Sequence, residues 1–314
     1  MQVARGRLGR LLLLALCALP FPVEAEAIRV VASFSILGDM TRRVAGDLAE
    51  VRTLVGPDGD AHVYQPTPAD ARAVAEARLV IVNGLGFEGW IDRLVRSSGY
   101  RGEIVIASAG VAPLTLEEGH DHDGGAAPRL RGVLKPIATD DPHAWQNLEW
   151  GQLYVRNIVA GLSQADPANA STYRSRADAY LRELAELDEW VRRRLAETAK
   201  ERRRVITSHD AFQYFGRAYD VEFLAPQGVS TESEPSAADV ARLVRQIRAL
   251  GIKALFVENM ADSRLVEQIA RETGATVGGA LYADALSAPS GPAPSYVAMF
   301  RHNVSLLAAA MAKN

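Results

Sequence analysis

Apolar residues along the chain fall into short dense runs, separated by longer stretches where they recur every three or four positions. Ile28–Phe34, Val51–Val55, Leu79–Val82 and Glu103–Ala107 read as strands in the first half. Val205–Thr207, Val221–Leu224, Ala254–Val257 and Ala275–Leu281 read as strands in the second. Helical signals lie between them. Thr67 has the character of an N-cap, with Pro68 in the first turn and Asp70 three residues on. Ser236 and Asp239 repeat that arrangement ahead of Val240, Leu243, Val244, Ile247 and Leu250, and Gly251 supplies a stop. Leu265, Val266, Ile269 and Ala270 form the next apolar face, closed by Gly274. Strand–helix alternation of this kind predicts the α/β class, with two (β/α) lobes built on parallel sheets.

One stretch departs from the alternation. From about Ala168 to Lys200, Tyr173, Ala177, Tyr180, Leu184, Leu187, Val191 and Leu195 keep a three-to-four-residue rhythm without Gly or Pro. A helix of about 30 residues is about 45 Å long, more than one small lobe spans. It is therefore expected to be a rigid connector. The expected division is a signal peptide at 1–25, a first lobe at 26–167, the connector at 168–202 and a second lobe at 203–314. The stretch Leu114–Asp141 has no period and reads as a long exposed loop.

The N-terminus has the three parts of an export signal. Arg5, Arg7 and Arg10 precede the apolar run Leu11–Leu19, and Ala25 or Ala27 offers a small-residue cleavage site. The apolar run is about half the ~20 residues of a membrane span. Cys17, the single cysteine of the 314 residues, lies inside it, and the bulky Leu16 before it argues against a lipid-attachment site. Once the signal is removed, no thiolate is left for catalysis or metal binding, so any metal site must be built from His, Asp or Glu. A formal charge of −3 with 23% charged residues argues against a nucleic-acid partner, whose protein should be basic. The expected product is a soluble, exported monomer.

Gly84-Leu85-Gly86-Phe87-Glu88-Gly89 imitates a dinucleotide-binding fingerprint. The ribose-holding carboxylate expected at the end of the next strand is missing there, so a structural turn is the better reading. The six histidines say more. His62 lies in a turn-rich loop after a strand, His143 in Asp140-Asp141-Pro142-His143-Ala144-Trp145, and His209 just past the strand ending at Thr207. Asp284 follows the last predicted strand. Residues beyond the carboxyl ends of parallel strands converge on the crevice where α/β proteins bind ligands. Three imidazoles and one carboxylate suit zinc, but their wide spacing alone does not establish a site. Asp141 and Asp210 are either acceptors for the ring N–H of ligand histidines or solvated carboxylates. His120 and His122, in an acidic Gly-rich loop, are either solvated or an auxiliary zinc-capture pair. His302 is expected to be structural.

Five ordered motifs carry a family resemblance: His62 with Tyr64-Gln65-Pro66-Thr67-Pro68; Asn83–Glu88 with Trp90; Asp141–Trp145; Ser208–Phe212 with Tyr214-Phe215; and Glu234-Pro235-Ser236. Together they resemble the cluster A-I metal-binding proteins of ABC transporters, which deliver zinc or manganese to an importer. The resemblance implies two α/β lobes joined by a long helix, with the metal at their interface. It implies His62 and His143 as ligands from the first lobe, and His209 and Asp284 from the second. In that family the third ligand tends to be His in zinc binders and Glu in manganese binders, so His209 points to Zn2+. The disulfide and long His-rich loop of many zinc members are missing here.

The function expected on these grounds is a periplasmic zinc-binding protein without catalytic turnover. Its partners would be an ABC permease with its ATPase subunit and, as a zinc donor, a periplasmic metallochaperone. The competing readings are a manganese carrier of the same family and, from another class, a secreted zinc hydrolase. A hydrolase needs an open coordination position and a general base, and no motif here supplies that base.

Overall fold

The computed structural model describes residues 27–117 and 138–314. The expected signal peptide, Cys17, His120 and His122 lie outside them. The chain begins with β1 (Ile28–Phe34), α1 (Ser35–Ala45), β2 (Ala49–Val55), α2 (Pro68–Glu76), β3 (Leu79–Val82), α3 (Ile91–Ser98) and β4 (Glu103–Ile106). The short strands β5 (Thr115–Glu117) and β6 (Ala138–Asp140) pair antiparallel, and α4 (Leu148–Ala165) and α5 (Ala170–Ala196) follow. The remainder comprises β7 (Arg204–Ile206), α6 (Gln213–Tyr219), β8 (Glu222–Leu224), α7 (Ala237–Leu250), β9 (Ala254–Glu258), α8 (Arg264–Thr273), β10 (Thr276–Leu281) and α9 (Tyr296–Met311).

Two parallel four-stranded sheets form two α/β lobes, with strand orders β2-β1-β3-β4 and β10-β9-β7-β8. The orders are equivalent when the second is read from its other edge. Each sheet therefore has one point where successive crossovers run in opposite directions, between β1 and β3 in the first and between β7 and β9 in the second. Those are the places where side chains beyond the strand ends open a crevice. All four residues of β3 are buried, as expected for a strand covered on both faces.

Local chemistry explains most helix ends. The Thr67 hydroxyl accepts from the Asp70 amide while the Asp70 carboxylate accepts from the Thr67 amide, closing a capping box on α2. The Ser236 hydroxyl accepts from the Asp239 amide at the start of α7, and left-handed Gly251 and Gly274 end α7 and α8. At 27 residues α5 is about 40 Å long. It packs on α1 and α4 in the first lobe and on α6 and α9 in the second.

One apolar core runs from the first sheet through α4, α5 and α9 to one face of the second sheet, where Val205, Ala254, Phe256 and Leu281 point. The alternate residues Ile206 and Leu255 face the other way, into a smaller core with Leu243, Val244, Ile247, Val266 and Ile269 under α7 and α8.

Candidate metal centre

The carboxyl ends of both sheets face one another across the interface between the lobes. The loop after β2 carries His62, and the segment after β6 carries His143. His209 follows β7, and Asp284 follows β10. The structure brings all four together: each is buried and offers one ligand atom within 4.8 Å of the others. The ring centroids of His62, His143 and His209 are 5.3–5.8 Å apart. Asp284 lies among them, with its oxygens 3.2 Å from Nε2 of His209, 3.4 Å from Nε2 of His62 and 3.5 Å from Nε2 of His143. Those three ring nitrogens and both Asp284 oxygens are buried without a hydrogen-bond partner. Buried polar atoms are rarely left so, and five aimed at one point indicate a cation.

Each imidazole is oriented from behind. Nδ1 of His143 donates to Asp141 Oδ1 at 2.7 Å, and the His143 amide donates to the same oxygen. Nδ1 of His209 donates to Glu258 Oε2, while Oε1 of that carboxylate accepts from the Ser208 and His209 amides. A ring that donates through Nδ1 to a carboxylate presents the Nε2 lone pair to a metal and becomes a stronger donor. His62 is held differently. Its amide donates to Asp60 Oδ1, its ring meets Phe87 edge-on at 4.7 Å, and Trp90 Nε1 anchors the preceding carbonyl of Ala61.

Asp141 occupies the orienting position expected for it. Asp210 does not: it accepts from Gln213, and the carboxylate behind His209 is Glu258, which the sequence reading missed. The signal was present, because Glu258 ends a parallel strand pointing at the crevice just as Asp284 follows one. His302 lies away from the cluster on α9, its Nε2 against the Ala280 carbonyl.

The glycine-rich imitation of a nucleotide site is a buttress. Gly84, Leu85 and Gly86 all have positive φ and turn the chain sharply after β3. A Cβ on Gly84 would sit 2.6 Å from the Ile106 side chain. The turn places Phe87 against both His62 and Trp145. Its Glu88 is buried and accepts from Ser33 Oγ and the Asn83 amide, with burial pushing its carboxyl above the usual range. Asn83 in turn donates to the carbonyl of Pro142, next to His143.

The electrostatics follow from burial and proximity. Burial by itself disfavours a charged His143, but the charges of Asp284 and Asp141 outweigh it and raise the ring to about 9. Burial likewise opposes charge on His209, and Glu258 and Asp284 raise it well above the ordinary imidazole value. Burial acts to raise Asp284, and the two cationic rings hold it well below the carboxylate range.

Two lobes that close over a buried cluster of metal-type donors define the class: a substrate-binding protein that carries a metal ion for an ABC transporter. The family described as zinc-uptake complex component A, periplasmic, matches residues 30–310, and the chain belongs to it. The manganese-binding lipoprotein MntA of Halalkalibacterium halodurans is 32% identical over 281 residues, covering 90% of this chain and 87% of that one. The iron-binding protein YfeA of Yersinia pestis is 32% identical over 284 residues, covering 90% and 86%. The solved periplasmic zinc binding protein TroA from Treponema pallidum is 28% identical with a TM-score of 0.81, covering 91% of this chain and 99% of that one.

Proposed function

We propose that the protein captures Zn2+ outside the cytoplasm and hands it to an ABC permease driven by its ATPase subunit, with His62, His143, His209 and Asp284 as the donors. The observation carrying this reading is the convergence of three unpartnered Nε2 atoms on an unpartnered buried carboxylate. Four such donors match a closed zinc shell and leave no position for an activated water, which favours carriage over hydrolysis. Nitrogen as the third donor favours zinc over manganese, which prefers carboxylate oxygen.

The relatives named for manganese and iron support a second reading, in which one of those ions is the cargo. Elemental analysis of protein purified from the periplasm at native metal levels separates the two. Zinc retained at one per chain is expected, and retained manganese or iron would overturn the choice of metal.

The same proposal takes 26–167 and 203–314 as lobes, 168–202 as their connector, and residues 1–25 as a cleaved export signal to the periplasm. No helix among the described residues is long and apolar enough to cross a membrane. The lipoprotein relative favours Cys17 as an alternative lipid anchor. The mass of the mature N-terminus decides between a chain starting near Glu26 and one starting at an acylated Cys17. A metallochaperone that donates zinc, met first by His120 and His122, completes the proposal.

A further inference from the structure

The position of Asp284 in the chain and its hydrogen-bond surroundings point to different lobes. By sequence it follows β10 and belongs with the second sheet. Just before it, Tyr282 is pinned to α9 by Asn303, which bonds both its amide and its carbonyl. From there on the segment is fastened to the first lobe. The Ala283 carbonyl accepts from Trp145 Nε1 at 2.9 Å and from Gln146 Nε2 at 2.8 Å. The Leu286 amide donates to Ser35 Oγ, and its carbonyl accepts from the Asp58 amide at 2.9 Å. The Tyr296 amide donates to Asp39 Oδ2. These partners include the segments that carry the first two histidines, since Asp58 is in the His62 loop and Trp145 lies just past His143.

His209 is held by the other lobe. Among the described residues, the hydrogen bonds of Thr207–Ala211 run to Leu224, Gly228, Gln213 and Glu258 or stay within the segment. Other loops of the second lobe reach the His62 loop through Thr231 to Asp60 and Asn259 to Asp58, bonds between half-buried or exposed side chains. The Tyr214 hydroxyl adds a 3.1 Å bond to the Asp141 carbonyl.

We infer that His62, His143 and Asp284 form a three-donor half-site held by the first lobe, and that His209 arrives last, carried by the second sheet. This rests on the four-donor reading above. The half-site contains the one carboxylate among the donors, so the entering cation meets the attractive charge first. The His209 imidazole then completes the shell. Release to the permease runs in reverse, beginning with withdrawal of His209 rather than loss of the carboxylate.

Stopped-flow binding of Zn2+ to the full mature chain, against a chromophoric chelator, tests the order. His209→Ala should associate within about threefold of the wild-type rate but release zinc at least ~100-fold faster. Asp284→Asn and His143→Ala should associate at least about tenfold more slowly. The opposite pattern, slow association in His209→Ala with normal association in Asp284→Asn, would overturn the inference while leaving the four donors in place. Hydrogen exchange on the unmutated protein gives a second test that no folding defect can blur. The amides of Asp58, Leu286 and Tyr296 should already be protected in the metal-free protein. Loss of their protection in the metal-free protein would overturn the half-site. A wild-type chain that binds no zinc would overturn the four-donor reading and the inference with it.

Discussion

Lowering the pH from 8 to 7 is expected to weaken zinc binding about tenfold or more, well beyond what ordinary histidines would allow. In the metal-free protein the His143 ring is raised to about 9 and so carries a proton at pH 8, and the charges of Glu258 and Asp284 raise the His209 ring in the same direction. Nδ1–H of each ring stays on its carboxylate when zinc binds, and Nε2–H leaves. At least one proton is therefore displaced per zinc ion, and the affinity changes by at least about one power of ten, or about 1.4 kcal/mol, for each pH unit. The sign is fixed by which state holds the protons: the empty form binds them, so acid favours the empty form. Imidazoles with the usual pKa near ~6.5 would already be neutral at pH 8 and would change the affinity less than about twofold between pH 7 and 8. Calorimetric titration in buffers of different ionisation enthalpy counts the protons directly. Release of less than about half a proton at pH 8 would refute the reasoning.

Three further outcomes follow from the same geometry. His209→Ala should weaken zinc binding by orders of magnitude, and His302→Ala should leave it near wild type because that ring, on α9, faces the Ala280 carbonyl of β10; chelator competition compares them. Glu258→Gln keeps the size of the side chain but removes the charge behind His209, and should cost about 10–100-fold in affinity. It should also reduce the number of protons released at pH 8, a readout that simple loss of stability would not move. Zinc at about 1,000 times its dissociation constant should add about 4 kcal/mol of stability, seen as a rise in melting temperature. At a fixed zinc concentration that rise should grow between pH 6.5 and 8: the two raised imidazoles stabilise the empty fold most fully below about 6.5 and progressively less as pH climbs through their folded values.

Elements marked by local chemistry were legible in the sequence, and elements set by long-range packing were not. β1 is a largely apolar run and β3 a continuous one, and α2 and α7 start at side-chain caps that the sequence displays. By contrast α1 follows β1 directly from Phe34, with no capping side chain to mark its start. Within α4, Gly151 and Gly161 look like helix breakers. They are there because a Cβ at Gly161 would meet the Val105 side chain at 2.2 Å and one at Gly151 the Tyr296 hydroxyl at 2.4 Å. The four converging residues could be named from their places after predicted strands and from the ordered motifs around them. Glu258 escaped because the predicted strand stopped at Val257, one residue short of the carboxylate. Asp210 attracted attention by standing next to His209, but adjacency in sequence did not turn its side chain to the ring.

The stitching of residues 283–296 onto the first lobe bears on how such a molecule changes over evolutionary time. Produced alone, the first lobe would lack the chain that covers Trp145, Gln146, Ser35 and Asp39, leaving buried donors and acceptors without partners. The second lobe produced alone would carry its terminal segment with nothing to bind. Neither half is a free-standing module, so exchange of whole lobes between relatives should be selected against. The layer formed by α7 and α8 is different. It has its own small core on the face of the second sheet away from the shared interior, and its sequence can drift there without disturbing the donors.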